Sequence, residues 1–232
     1  MNNYFCTNDR CAPCQQQAPC QQQVPCQQPT PPQRPCCPCG EDFRRALDLI
    51  CCPQLRSLVD FSSFAFVTEQ FVLGTALVAA PAGTAPSDNL DDPAATYTCG
   101  GDSCETITVS GTLYPAVTGG EALAPTITQA ALCRLTAVAF GVTDVGDGAT
   151  ANFQTISQTL SQLLRPQRPT ECCSVADALT TAAAVRASTV TAGPLIVQNS
   201  TILGQIGSIL VMANSTDSRF YFICANDISF LG

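Results

Sequence analysis

The amino-acid sequence predicts an α+β fold: a β-rich body of sandwich-like sheets with a few short helices, preceded by a disordered Cys/Pro/Gln arm. Three observations carry that expectation. Residues 11–39, CAPCQQQAPCQQQVPCQQPTPPQRPCCPC, hold almost nothing but Gln, Pro and Cys. Several later segments alternate apolar and polar residues with the period of two that one buried sheet face imposes. Two others, 43–50 and 152–165, space their apolar residues as an amphipathic helix does. The division falls at residue 40, with an arm over 1–40 and a single folded body over 41–232.

In the arm, Pro13-Cys14-Gln15-Gln16, Pro19-Cys20-Gln21-Gln22 and Pro25-Cys26-Gln27-Gln28 recur every six residues, and Cys36, Cys37 and Cys39 close it. Such a segment has too little apolar surface to offset the entropy of ordering its backbone. Proline fixes φ and removes N–H donors, which favours extended polyproline-II-like chain. The expectation is a tether that displays a thiol about every six residues.

The body begins with Phe43, Leu47 and Ile50 on one helical face, the acidic pair Glu41-Asp42 standing at the favourable N-terminal end. Cys51-Cys52-Pro53 stops that helix, and Pro53 opens a second short one through Leu55, Leu58 and Val59. Phe64–Val67 and Gln70–Val78 read as strands buried on both faces. Residues 81–104 read as a long loop ending in Cys99-Gly100-Gly101-Asp102-Ser103-Cys104, where Cys99 and Cys104 are candidates for a local disulfide. Ile107, Val109 and Leu113 alternate with threonines and serine in the clearest strand of the chain. Leu132–Val142 is a further strand candidate carrying Cys133, and Asp144–Gly148 a turn. Phe153, Ile156, Leu160, Leu163 and Leu164 form a helical stripe that Pro166 ends. Cys172-Cys173 precede an Ala-rich helix over about 175–187. Strands are expected at Leu195–Gln198, Ile206–Met212, Arg219–Cys224 and Ile228–Leu231, the last docked because a free apolar tail is an aggregation hazard.

Composition excludes several function classes. The formal charge of −8 argues against nucleic acid or an anionic membrane surface as partner. All ten basic residues are Arg, and there is no His. The commonest general base and metal ligand is thus absent, and lack of Lys removes Schiff-base chemistry and the Walker-type phosphate loop. An enzyme is not expected, nor a cofactor. Only 12% of residues are charged against 46% hydrophobic, where a soluble monomer has about a quarter charged. Low charge suits a surface that ends up against copies of itself. Met1–Arg10 has neither the basic start nor the apolar run of a secretory signal, and no apolar run is long enough to span a membrane.

Sixteen cysteines define the candidate chemistry. Cys11-Ala12-Pro13-Cys14 has the spacing of a thiol–disulfide oxidoreductase but lacks the helix N-terminus that lowers the thiol pKa. Zinc is the alternative: Cys11 and Cys14 with two of Cys36, Cys37 and Cys39 supply four thiolates, although the C-P-C spacing and the six-residue repeat suit no single tetrahedral site. Cross-linking between copies fits better. Its candidates are Cys6, Cys11, Cys14, Cys20, Cys26, Cys36, Cys37, Cys39, Cys51, Cys52, Cys172 and Cys173. In each doublet, neighbouring side chains on a helix point in different directions, so one sulfur can face outward. Cys133 and Cys224, inside apolar segments, read as ordinary buried cysteines.

Leu47-Asp48-Leu49-Ile50-Cys51-Cys52-Pro53-Gln54-Leu55, followed by Val59-Asp60-Phe61-Ser62-Ser63-Phe64-Ala65-Phe66 and the closing Arg219-Phe220-Tyr221-Phe222-Ile223-Cys224, resembles the cysteine-rich exosporium and spore-coat proteins of clostridia. The idea of a Cys-bearing connector on a β-rich body is shared with bacterial spore appendage subunits. The resemblance implies a non-enzymatic structural protein that assembles with copies of itself, and with other spore-coat proteins, into a disulfide-linked lattice or filament on the spore. It also reconciles many cysteines with the expected absence of a signal. A coat is built in the reducing mother-cell cytosol and oxidised when that cell lyses.

Overall fold

A computed structural model of the chain describes residues 39–164 and 187–231, apart from 81, 84, 101, 102 and 104. The expected Cys/Pro/Gln tether, the doublet Cys172-Cys173 and the Ala-rich helix lie outside the described residues.

The chain enters through helix α1 (Gly40–Ile50) and a single turn of helix α2 (Pro53–Arg56), with Pro53 at its start as expected. Val59 does not extend that turn; it opens β1 (Val59–Val67). Short β2 (Phe71–Leu73) follows, and the strand expected to run on to Val78 stops at Gly74. Gly74 has φ +102°, and a Cβ there would collide with the Phe64 carbonyl and with Ala95, so only glycine lets the chain turn so close to β1. The long loop contains two short strands, β3 (Ser87–Asp88) and β4 (Thr96–Tyr97). Then come β5 (Thr106–Pro115), β6 (Leu123–Ala131), a 3-10 turn at Leu132–Arg134 and β7 (Ala137–Val142). Helix α3 (Ala149–Leu163) is followed by β8 (Ala187–Ala192), β9 (Leu195–Ile206), β10 (Ile209–Asn214), β11 (Arg219–Cys224) and β12 (Ile228–Leu231). The α+β, β-rich expectation is met.

All strand pairs are antiparallel, and one hydrogen-bonded path runs β12-β8-β9-β10-β11-β7-β1-β2-β5-β4, with β3 joined to β9 and β6 to β5. The sandwich-like layering therefore arises by curling one open sheet. β9 pairs with β8 through its first half and with β10 through its second. Its first half and β8 thus turn back over the sheet and supply Val190, Ala192, Leu195 and Val197 to one buried cluster.

The central strands are buried on both faces, which is why their alternation pairs large with smaller apolar residues. On one face, Phe64 of β1, Phe140 of β7 and Phe220 of β11 stand in register on neighbouring strands. Their rings stack at 5.5 and 5.4 Å, and Phe153 of α3 covers Phe220 at 4.8 Å. α1 adds Phe43, Ala46, Leu47 and Ile50 to the same cluster. On the other face Ala65, Ala137 and Ala139 leave room for the turned-back β8 and β9. In α3, Ile156 and Leu160 are buried as the stripe predicts, and so is Leu164 at its C-cap, whereas Leu163 is exposed.

β6 went unrecognised in the sequence because its residues are exposed or half-buried throughout, leaving no one-sided alternation to read. Cys133 lies in the 3-10 turn, exposed rather than inside a strand. β12 docks on β8 as expected, but Phe230 remains 75% exposed.

Candidate functional site at the root of the arm

Helix α1 is the first element of the described residues and follows directly on the Cys/Pro/Gln-rich stretch of the sequence. Its first turn carries Glu41 and Asp42. Asp42 accepts the Ser208 N–H at 2.7 Å, fixing the helix start on the β9–β10 turn. Gly207 is required there: its φ is +55° and a Cβ would overlap the Asp42 carboxylate. Along the helix, Arg44 pairs with Asp48 at 3.2 Å, and Arg45 with Asp42 at 3.2 Å and with Glu41. These pairs are partly exposed and each contributes only a few tenths of a kcal/mol, about 0.3–0.5.

Sulfur decides how α1 is held. Cys39, its N-cap, is bonded to Cys224 at the end of core strand β11, with Cα atoms 5.8 Å apart and 185 residues of sequence between them. Cys51, its C-cap, is bonded to Cys99 just beyond β4, with Cα atoms 5.9 Å apart and a separation of 48. A helix of eleven residues, about 16 Å long, is thus stapled to the sheet at both ends. Cys52 and Cys133 are also in disulfides. Every cysteine among the described residues is therefore oxidised. Cys39, Cys52 and Cys224 are no more than 5% exposed, and a sulfur that a thiolate cannot reach does not exchange.

This arrangement corrects several expectations. Cys39 and Cys51 are bonded within the chain rather than free to link copies. The local Cys99–Cys104 bridge does not form, because pairing of β4 with β5 carries Cys99 across to the C-terminus of α1. Cys224 is not a plain buried cysteine: it shares the face of Phe220 and Phe222, the face that α1 covers, and so meets Cys39. Cys133 is bonded as well. A four-thiolate zinc site cannot use Cys39 while that bridge stands. Among the described residues no group of three or more Cys, Asp or Glu converges as a metal site. Cys6, Cys11, Cys14, Cys20, Cys26, Cys36, Cys37, Cys104, Cys172 and Cys173 lie outside the described residues.

A second constellation fixes the long loop. Asp88 of β3 is buried, and Arg219 Nη1 donates to both its oxygens at 3.0 and 2.8 Å. The Tyr221 hydroxyl donates to the same carboxylate, and the Leu90 N–H to its Oδ1 at 2.8 Å. Burial, and next the Asp88 charge, push the Tyr221 phenol well above its ordinary value. Asn89 donates to the Pro194 carbonyl at 2.9 Å and accepts the Ile196 N–H at 2.8 Å. With its charge matched and its oxygens hydrogen-bonded, this cluster is a clamp rather than a reactive centre. The open groove beside it, about 470 Å³, is lined by Val78, Ser87, Asp91 and Asp217 among others.

A stapled helix at the root of a cysteine-rich segment is a feature of architecture, and the comparison with known proteins agrees. Residues 36–232 match the family described as spore coat protein CotA-like. The chain belongs to that family. It is also 26% identical over 262 residues to the spore coat protein CotA of Clostridioides difficile (strain 630), an alignment covering 84% of this chain and 83% of that protein. No solved structure matches the chain. The match to the family starts at residue 36, three residues before the first staple, and takes in the whole described body. The resemblance to clostridial spore-surface proteins is borne out, and with it a structural role at the spore surface.

Proposed function

We propose that the protein is a non-catalytic subunit that assembles with copies of itself into a disulfide-linked lattice or filament on the spore. The body is a unit closed by its own bridges, and the linking sulfurs are Cys6, Cys11, Cys14, Cys20, Cys26, Cys36 and Cys37, with Cys172 and Cys173. The observation that carries this reading is the oxidised state of all six cysteines among the described residues. It leaves the repeated cysteines before Cys39 as the supply of thiols for neighbours. Oxidation at the spore surface, after synthesis in the mother-cell cytosol, supplies the driving condition.

The staple at Cys39 has a mechanical consequence for such an assembly. Tension from a neighbour enters the body at Cys39 and passes through sulfur into β11, an interior strand of the sheet. α1 is bypassed and does not peel away. Covalent linking also resists dilution, which non-covalent contacts do not.

The test is electrophoresis of air-oxidised full-length protein in hot detergent, with and without reductant. Ladders that collapse to monomer only on reduction, with arm cysteines identified in the linked peptides by mass spectrometry, are expected. A clean monomer without reductant refutes the reading. Metal at about one ion per four arm thiols in protein purified under reducing conditions would favour a soft-metal module instead.

A further inference from the structure

Natural sheets protect their edges, because a free edge offers unpaired N–H and C=O groups to any other strand. Charged side chains, short strands and covering loops are the usual protection. β6 has little of it. It is nine residues long, LAPTITQAA, and only β5 pairs with it among the described residues. Seven of its residues are exposed, and only Ile127 and Ala130 are half-buried. No charged residue occurs from Ala122 to Cys133. Pro125 is the single concession to its edge position. The opposite edge, β12, is only four residues long.

We propose that β6 is the non-covalent interface between copies, pairing antiparallel with β6 of a second chain about a two-fold axis at Ile127. This deepens the assembly reading and rests on it. Symmetry selects the register. A two-fold axis perpendicular to an antiparallel pair requires one residue to face its own equivalent, and Ile127 is the centre of Leu123–Ala131. In that register all nine residues are paired, Thr126 faces Thr128 of the second copy, and Pro125 faces Gln129. Charge supports it. Glu121 and Arg134 flank the strand, both exposed and neither ion-paired among the described residues. Antiparallel self-pairing sets the end of β6 that follows Glu121 in each copy beside the end that precedes Arg134 in the other, so opposite charges neighbour each other at both ends. A parallel pairing would set like against like. One such strand pair is a small contact and binds weakly by itself. Joined to covalent links it acts at high effective concentration, and the links then fix what the strand has aligned.

The experiment uses the full chain, oxidised, with Cys6, Cys11, Cys14, Cys20, Cys26, Cys36, Cys37, Cys172 and Cys173 replaced by Ser to silence every linking sulfur named above. Sedimentation velocity should show a reversible dimer. Thr126→Lys/Thr128→Lys sets two like-charge pairs across the axis, and Thr126→Glu/Thr128→Glu does the same. Each double variant alone should weaken dimerisation at least about tenfold, since facing like charges on a strand pair are repulsive. Mixing the two should restore it, because each Lys then faces a Glu. Restoration shows that both variants are folded. A parent that stays monomeric into the tens of micromolar, about the range a weak strand contact reaches, overturns the proposal. So does a Lys variant that dimerises like the parent, or a mixture no better than its components. None of these outcomes touches the arm-linking reading, which reducible ladders of the unmutated chain decide separately.

Discussion

Removing the Cys39–Cys224 bridge gives the sharpest measure of how the body is held. The variant is Cys39→Ala/Cys224→Ala in the oxidised chain. The bridge closes a loop with a sequence separation of 185, inside which Cys51–Cys99 already ties off 48. Chain-entropy reasoning for a loop of that reduced length gives about 5 kcal/mol at 25 °C. The small cavity left at Cys224, 2% exposed, adds about 1 kcal/mol or less. With an m-value of about 2.5 kcal/mol/M in urea for a body of this size, the midpoint should fall by about 2 M. The slope should rise, because an unfolded chain freed of this long loop exposes more surface. There is no Trp, so far-ultraviolet circular dichroism or tyrosine fluorescence is the readout. Cys51→Ala/Cys99→Ala, with the shorter loop, should cost about 4 kcal/mol and so less than the outer bridge. A midpoint shift below about 0.5 M, or the reverse order of the two variants, refutes the view that α1 is stapled within the chain.

Arg219→Ala leaves Asp88 buried without its cation and should destabilise by about 3–5 kcal/mol, against about 1–3 for Tyr221→Phe, which removes only one donor; equal losses in thermal unfolding would show that the ion pair does not hold the loop. The Tyr221 phenol has a raised folded-state pKa, so its contribution is complete below about pH 10 and disappears as pH rises further; Tyr221→Phe should flatten the alkaline limb of a stability profile. Phe140→Ala removes the middle ring of the stack that joins β1, β7 and β11 and should cost about 3–5 kcal/mol in urea unfolding. Burial first, and Glu69 second, push the Asp227 carboxyl up. Its contribution is therefore complete at acid pH and lost as pH rises above about 4. Asp227→Asn should raise Tm by about 1–2 °C at pH 7 and have no such effect near pH 3.

The sequence alone determined what each local period can encode. Phe43, Leu47 and Ile50 marked the buried face of α1, Ile156 and Leu160 that of α3, and the alternations around Phe64–Phe66 and Phe220–Phe222 marked central strands. Local periodicity reports which way a side chain faces relative to its own backbone, and nothing about what it faces. Hence β6, wet on both sides, carried no signal. The order β11-β7-β1 and the partners of the sulfurs were decided only by tertiary structure. Cys39 meets Cys224 because α1 lies over the face that β11 turns toward it, a juxtaposition of residues 185 apart. Cys99 leaves its near neighbour for Cys51 because β4 pairs with β5. Covalent pairing follows distance in space, and distance in space follows sheet order.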